Sequence, residues 1–165
     1  MTMTGADRLA DRLAKAGCRH AFGIPGGEVL ALVEALAKAG IEPVLVKHEN
    51  AGGFMAEGIW HASSTQGQRQ GQNSPALLYA TLGPGAANAV NVVANAMQDR
   101  VPLIFITGCV DAGDAESYTH QVFDHAAMLR PIVKASLRAT ATTAGLVADK
   151  AVRIALSGQI GRAHV

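Results

Sequence analysis

Three times along this 165-residue chain a short apolar run ends in a turn and a helix-period pattern begins at once. The runs are 20–24, 43–46 and 75–80, and the turns are Pro25-Gly26-Gly27, Lys47-His48-Glu49 and Thr81-Leu82-Gly83-Pro84-Gly85. Strands separated by whole helices cannot pair as hairpins. They pair in parallel, and the connecting helices must cover both faces of the sheet. The expected fold class is therefore α/β, a three-layer α/β/α sandwich around a central, mainly parallel sheet. A chain of 165 residues closes one such core, so residues 1–165 are expected to form a single domain.

The remaining elements follow in order. Thr4-Gly5-Ala6-Asp7 has capping-box spacing, with Asp in place of Glu, and opens a helix that runs to Lys15 and is stopped by Gly17. A second helix carries Val29, Leu30, Leu32, Val33 and Leu36. A third is expected from Asn50, an N-cap type, to about residue 61, and a fourth over 86–99. Residues 101–107 read as a fourth strand, 121–129 as a short helix, 131–135 as a fifth strand and 143–157 as a last helix. The polar, glutamine-rich segment 63–74 reads as a surface loop.

The helix after Asn50 is glycine-rich (Gly52, Gly53, Gly58), and each glycine costs roughly 1 kcal/mol against alanine, so it must pack closely on a neighbouring backbone or subunit. Charged residues are 16% of the chain and apolar ones 49%, which leaves little charge to cover the outside and suggests that a partner covers part of it. A net charge of +1 with scattered basic residues argues against nucleic-acid binding. The two cysteines, Cys18 and Cys109, lack metal-site spacing and fit a reducing, cytoplasmic setting. No run approaches membrane-spanning length, so no membrane partner is expected.

Parallel strands place their following turns along one edge, where open α/β sheets bind ligands. Gly26, Gly27, Glu49, Gly83 and Gly85 are expected on that rim. A carboxylate there is a candidate for chemistry, although a hinge residue that merely helps cap the next helix would look the same. Residues 23–27 are not GxGxxG and no P-loop occurs, so both phosphate fingerprints are missing.

Phe22-Gly23-Ile24-Pro25-Gly26-Gly27, Lys47-His48-Glu49-Asn50 with Met55-Ala56-Glu57-Gly58, Thr81 to Asn88, Asp99-Arg100-Val101-Pro102-Leu103 and Arg130-Pro131 resemble, in family order, the pyrimidine-binding domain of thiamine-diphosphate-dependent enzymes. The acetolactate synthase group is the most similar. The resemblance implies an enzyme acting on 2-keto acids by decarboxylation and carboligation. Its catalytic glutamate matches Glu49, which would hydrogen-bond a ring nitrogen of the cofactor's aminopyrimidine. It also assigns Pro25, Gly26, Gly27, Gly83, Pro84 and Asn88 to the cofactor site and Gln121 to an active-site loop. Read without the resemblance, Asn88 could simply be a polar residue in a helix's first turn and Gln121 a solvated loop residue.

The family holds the diphosphate through Mg2+ in a second domain with a Gly-Asp-Gly motif, and here Gly113-Asp114-Ala115 breaks it. No metal ligands are expected in this chain, which is read as a fragment of a longer homo-oligomeric enzyme, inactive alone. It would take the diphosphate-binding domain of a neighbouring subunit as partner, and FAD, bound by some relatives, stays open. Departures at Ile24, Leu82, His120 and Val122 leave the 2-keto acid and its acceptor unspecified. Two other readings stand beside this one: a small subunit of a two-chain decarboxylase, and a non-catalytic doubly wound binding module.

Overall fold

The structure, a computed structural model, describes residues 3–65, 74–110, 113, 117 and 120–158. Most of the loop expected over 63–74 and part of the Gly113-Asp114-Ala115 segment lie outside the described residues.

Thr4 caps helix α1 (Gly5–Lys15) through the expected box. Its hydroxyl accepts from the Asp7 amide at 3.1 Å, and the Asp7 carboxylate accepts from the Thr4 amide at 2.8 Å. The Thr4 amide, and the Thr4 hydroxyl donating to the same carboxylate oxygen at 2.7 Å, hold the Asp7 carboxyl below its usual range. Strands β1 (His20–Gly23), β2 (Glu42–Leu45), β3 (Ala76–Ala80) and β4 (Leu103–Thr107) form one sheet in the order β2-β1-β3-β4, and every pairing among them is parallel. Ala21 stands opposite Pro43 on one side and Leu77 on the other, and Ala76 opposite Leu103.

Side chains alternate across the sheet, so each strand feeds two cores. Ala21, Leu77, Tyr79 and Ile104 face α1, α2 (Leu30–Lys38) and α7 (Ala144–Leu156), where Leu13, Leu36 and Ala151 pack. Phe22, Leu78 and Phe105 face α3 (Glu49–Thr65), α5 (Val90–Asp99) and α6 (His125–Leu129), meeting Ala56, Val92 and Leu129. That is the expected three-layer sandwich. Leu13, Leu36, Ile41, Leu77 and Leu78 are at most 1% exposed, each worth about 1.5–3 kcal/mol of apolar burial.

Because β1 lies between β2 and β3, the crossovers leave it in opposite directions, and the strand order reverses between β1 and β3. Such a switch point opens a crevice at the strands' carboxyl ends. The turns after Gly23 and Ala80 flank it.

Several expectations need correction. The helix expected over 86–99 starts earlier and breaks at Ala89 into α4 (Pro84–Asn88) and α5, with Pro84 in the first turn, where its missing N–H costs nothing. Asn50 is not an N-cap but lies inside α3, and its side-chain oxygen accepts from the Val92 amide at 2.9 Å, while His48 Nδ1 takes the Asn50 amide at 3.2 Å. Of the helix expected over 121–129 only His125–Leu129 forms, started by Asp124, whose carboxylate accepts from the Ala127 amide. No strand forms over 131–135. Pro131, which has no N–H for a ladder, lies in a 3-10 turn, Arg130–Ile132. Lys134 is drawn away to the carboxyl end of α7, where its ammonium donates to the carbonyls of Ile154 at 3.1 Å and Ala155 at 3.2 Å.

The close packing expected of the glycine-rich helix is present. A Cβ on Gly53 would stand 2.3 Å from Val92 Cγ1, and one on Gly52 would stand 3.1 Å from Val46 Cγ2, so α3 lies tight against both α5 and the sheet. Gly58 faces open space. Phe54, Met55 and Ile59 are exposed on the outer face of the same helix.

Candidate functional site

Glu49 begins α3 four residues beyond β2 and is only 3% exposed. A carboxyl taken out of water needs partners. One comes from α4, where Asn88 Nδ2 donates to Glu49 Oε2 at 3.0 Å. The other oxygen, Oε1, lies 3.3 Å from where a Cβ on Gly85 would stand, and Thr81 Oγ1 lies 2.5 Å from the same point. Gly85 therefore leaves the room that Oε1 and the Thr81 hydroxyl occupy. Among the described residues Glu49 takes part in no ion pair.

The two glycine turns meet at Thr81. A Cβ on Gly26 would stand 2.3 Å from Thr81 Cγ2, so the turn after β1 closes on the turn after β3 only without a side chain there. Gly27 faces open space, and Pro25 and Pro84 are exposed on the rim. Gly83 has φ +66° and ψ −117°, a conformation reserved for glycine, and a Cβ on it would stand 2.3 Å from the Gln121 carbonyl oxygen. Gln121 itself has φ +59° and is exposed beside Gly83.

The expected site residues thus divide into a centre, where Glu49 and Gly85 are buried and Asn88 is exposed, and an open rim. Glu49, Asn88 and Gly85 are in contact; Gly26 and Gly83 hold the turns; Pro25, Gly27, Pro84 and Gln121 form the open border. No hydrogen bond links that border to Glu49 among the described residues. Sequence reasoning missed Thr81, which spaces both turns. It also missed His125, whose Nε2 accepts from the Gly83 amide at 2.9 Å across 42 residues of chain. Thr81 opens the Thr81–Asn88 stretch that carries the resemblance, whereas no sequence signal pointed to His125. Further along α3, Glu57 is 5% exposed and takes Asn95 Nδ2 at 3.1 Å, which repeats two turns on the pairing of Glu49 with Asn88.

A cavity of about 790 Å3 runs along the outer flank of β4, walled by Leu103, Phe105, Leu129, Ile132 and Ala151 and reaching His125. Glu49 lies outside it. The cavity follows the flank of β4 that has no paired strand among the described residues, while the carboxylate stands at the switch-point crevice. Also among the described residues, no three His, Cys, Asp or Glu side chains are grouped to hold a metal ion, and no helix is long and apolar enough to cross a membrane.

The switch-point crevice, the buried carboxylate and the paired glycine turns define a cofactor-binding α/β domain. Residues 3–128 match the family model described as thiamine pyrophosphate enzyme, N-terminal TPP binding domain, and the chain belongs to that family. It is similar to the acetolactate synthase of Bacillus subtilis (strain 168), 33% identical over 162 residues, which cover 98% of this chain and 27% of that protein. It is also similar to an acetolactate synthase large subunit of Buchnera aphidicola subsp. Acyrthosiphon pisum (strain APS), at 35% identity over 96% of this chain and 27% of the relative. The isozyme 3 large subunit of Escherichia coli (strain K12) shares 34% identity over 96% of this chain and 26% of its own length. The chain spans about a quarter of the length of these relatives.

Proposed function

We propose that residues 1–165 are the single pyrimidine-binding domain of a longer, acetolactate-synthase-like enzyme that decarboxylates and joins 2-keto acids with thiamine diphosphate. The observation that carries this reading is Glu49: a carboxyl 3% exposed, at the ligand edge of a parallel sheet, with one oxygen held by a neutral amide and the other beside a glycine. Membership in the thiamine pyrophosphate family supports it, as does the span of about a quarter of the acetolactate synthases. The remaining domains would supply the Mg2+-bound diphosphate site from a neighbouring subunit, in a cytoplasmic homo-oligomer. The exposed Phe54, Met55 and Ile59 offer α3 an apolar face for that assembly.

When bound, thiamine diphosphate supplies a nucleophilic carbon and an electron sink for bonds next to the keto carbonyl. Glu49 Oε1 would give a proton to the aminopyrimidine ring nitrogen and take it back. Asn88 fixes the carboxyl's orientation through Oε2, so Oε1 keeps one direction. Gly85 leaves room beside Oε1 and the Thr81 hydroxyl, Gly26 brings the first turn against Thr81, and Gly27, which faces open space, would leave the approach open. Pro25 and Pro84 stiffen the rim. Gln121, exposed beside Gly83, would present a neutral amide to the keto acid. Burial keeps water off the carboxyl.

The test is product analysis with pyruvate, thiamine diphosphate and Mg2+ on the longer polypeptide that, in this reading, carries the domain. Release of CO2 with acetolactate formation is expected there, and no turnover from the 165-residue chain alone. Turnover by the isolated chain, or no cofactor binding by the longer one, would overturn the proposal.

A further inference from the structure

The turn that borders the carboxylate is held by a titratable side chain from outside the family's motifs. The Gly83 amide donates to His125 Nε2 at 2.9 Å. A backbone N–H can only donate, so Nε2 carries a lone pair and no proton. The other nitrogen, Nδ1, lies 3.3 Å from Thr107 Oγ1 at the end of β4. In a neutral ring that nitrogen bears the proton and donates to the hydroxyl. The two bonds together fix both the charge and the tautomer of the imidazole.

Gly83 passes this constraint to the site. Its carbonyl accepts the first bond of α4, from the Ala87 amide at 3.0 Å, and α4 carries Gly85 and Asn88 to Glu49. We propose that neutral His125, protonated at Nδ1, is a positioning residue that holds the Gly83 turn in its site-forming shape, and that protonation at Nε2 releases it. The assignment of this turn to a cofactor site rests on the function proposed above; the hydrogen-bond switch itself does not.

Protonation would set an imidazolium N–H against the Gly83 N–H, two donors with no acceptor between them, and the buried amide would lose its partner. Among the groups around the ring, Thr107, Gly83 and Phe123, whose ring meets the imidazole edge-on at 4.9 Å, bring no charge. Asp124, on the ring's own segment, favours the charged form, while burial disfavours it more strongly, so the pKa is lowered. Glu28, whose Cβ crowds Gly108 one residue past Thr107, is an exposed carboxylate with no hydrogen bond to the imidazole among the described residues.

NMR on the 165-residue chain, without cofactor, tests this. At neutral pH the imidazole 15N signals should show a single Nδ1–H tautomer. On acidification the Gly83 amide and the Asn88 side-chain amide should move with the midpoint of His125. His125→Gln, whose amide oxygen can take the same bond without titrating, should keep Gly83 protected and flatten its titration. His125→Ala should speed exchange of the Gly83 amide by about fivefold to tenfold, the equivalent of one net hydrogen bond. An imidazole doubly protonated at neutral pH, the other tautomer, or Gly83 and Asn88 signals that stay flat while His125 titrates would each overturn the proposal. These readouts come from the wild-type chain, so they stand even if a variant fails to fold. A flat Gly83 signal would leave the thiamine diphosphate reading intact, and failed turnover would leave the imidazole result standing.

Discussion

Gly53→Ala and Gly58→Ala place the same methyl group five residues apart in α3, yet they should move stability in opposite directions. Each gains helix propensity, about 0.5–1 kcal/mol. At Gly58 nothing stands within 4 Å of the new Cβ, so the whole gain is kept. At Gly53 the Cβ would meet Val92 Cγ1 at 2.3 Å, Cγ2 at 2.6 Å and Cβ at 3.0 Å. Val92 is fully buried and β-branched, and in a helix it has essentially one rotamer, so it cannot turn aside. The helices must part instead. Overpacking of this kind costs about 1–3 kcal/mol. The steep overlap puts Gly53→Ala toward the upper end, a net loss of about 1–2 kcal/mol after the propensity gain. The two variants should then differ by roughly 2–3 kcal/mol in urea unfolding, or about 4–12 °C in Tm for a chain of this size. Parting α3 from α5 would also weaken the Asn50 bond to Val92, visible as faster exchange of the Val92 amide. Equal stability of the two variants would refute a close approach of these helices.

Other residues give independent tests. Burial pushes the Glu57 carboxyl above its usual range and Asp99 adds to this, while donation from Asn95 and the charge of His61 pull it back. A raised folded pKa favours the fold fully below the unfolded carboxyl value and loses that contribution as pH rises through the folded value. Glu57→Gln should therefore be more stable than wild type near neutrality, by up to about 1 kcal/mol, and the gain should shrink on acidification; urea titrations at both pH values check this. The Cys18 thiol is buried, donates to the Pro75 carbonyl and is pushed up to about 12, whereas Cys109 is exposed. A thiol reagent at mildly alkaline pH should label Cys109 alone in the native chain and both after unfolding. Native labelling of Cys18 would show that its cover opens.

The layering was legible because it follows from local patterns: three strand–turn–helix units leave few ways to build a sheet, and the capping box at Thr4 and Asp7 formed as spelled. The rim was legible for the same reason, since parallel strands put their following turns on one edge. What sequence could not show were contacts across long stretches of chain. Thr81 between Gly26 and Gly85, and His125 on Gly83, pair residues whose only common property is their place in the fold. Asn50 looked like an N-cap but spends its oxygen on Val92, because α5 comes close enough to offer an amide. The fifth strand failed for a tertiary reason too. Lys134 finds the carbonyls ending α7, and Pro131 has no donor to keep the segment in a ladder.

In the proposed function Glu49 handles the proton that activates the cofactor. The most direct test of that role is deuterium exchange at the thiazolium C2 of bound thiamine diphosphate, followed by NMR in the longer polypeptide and in its Glu49→Gln variant. A glutamine keeps the bond to Asn88 and the shape of the site but cannot relay a proton. Retained cofactor binding is expected, with exchange slowed about 100-fold to 10,000-fold, the range of a lost general base. Exchange as fast in Glu49→Gln as in wild type would contradict that role.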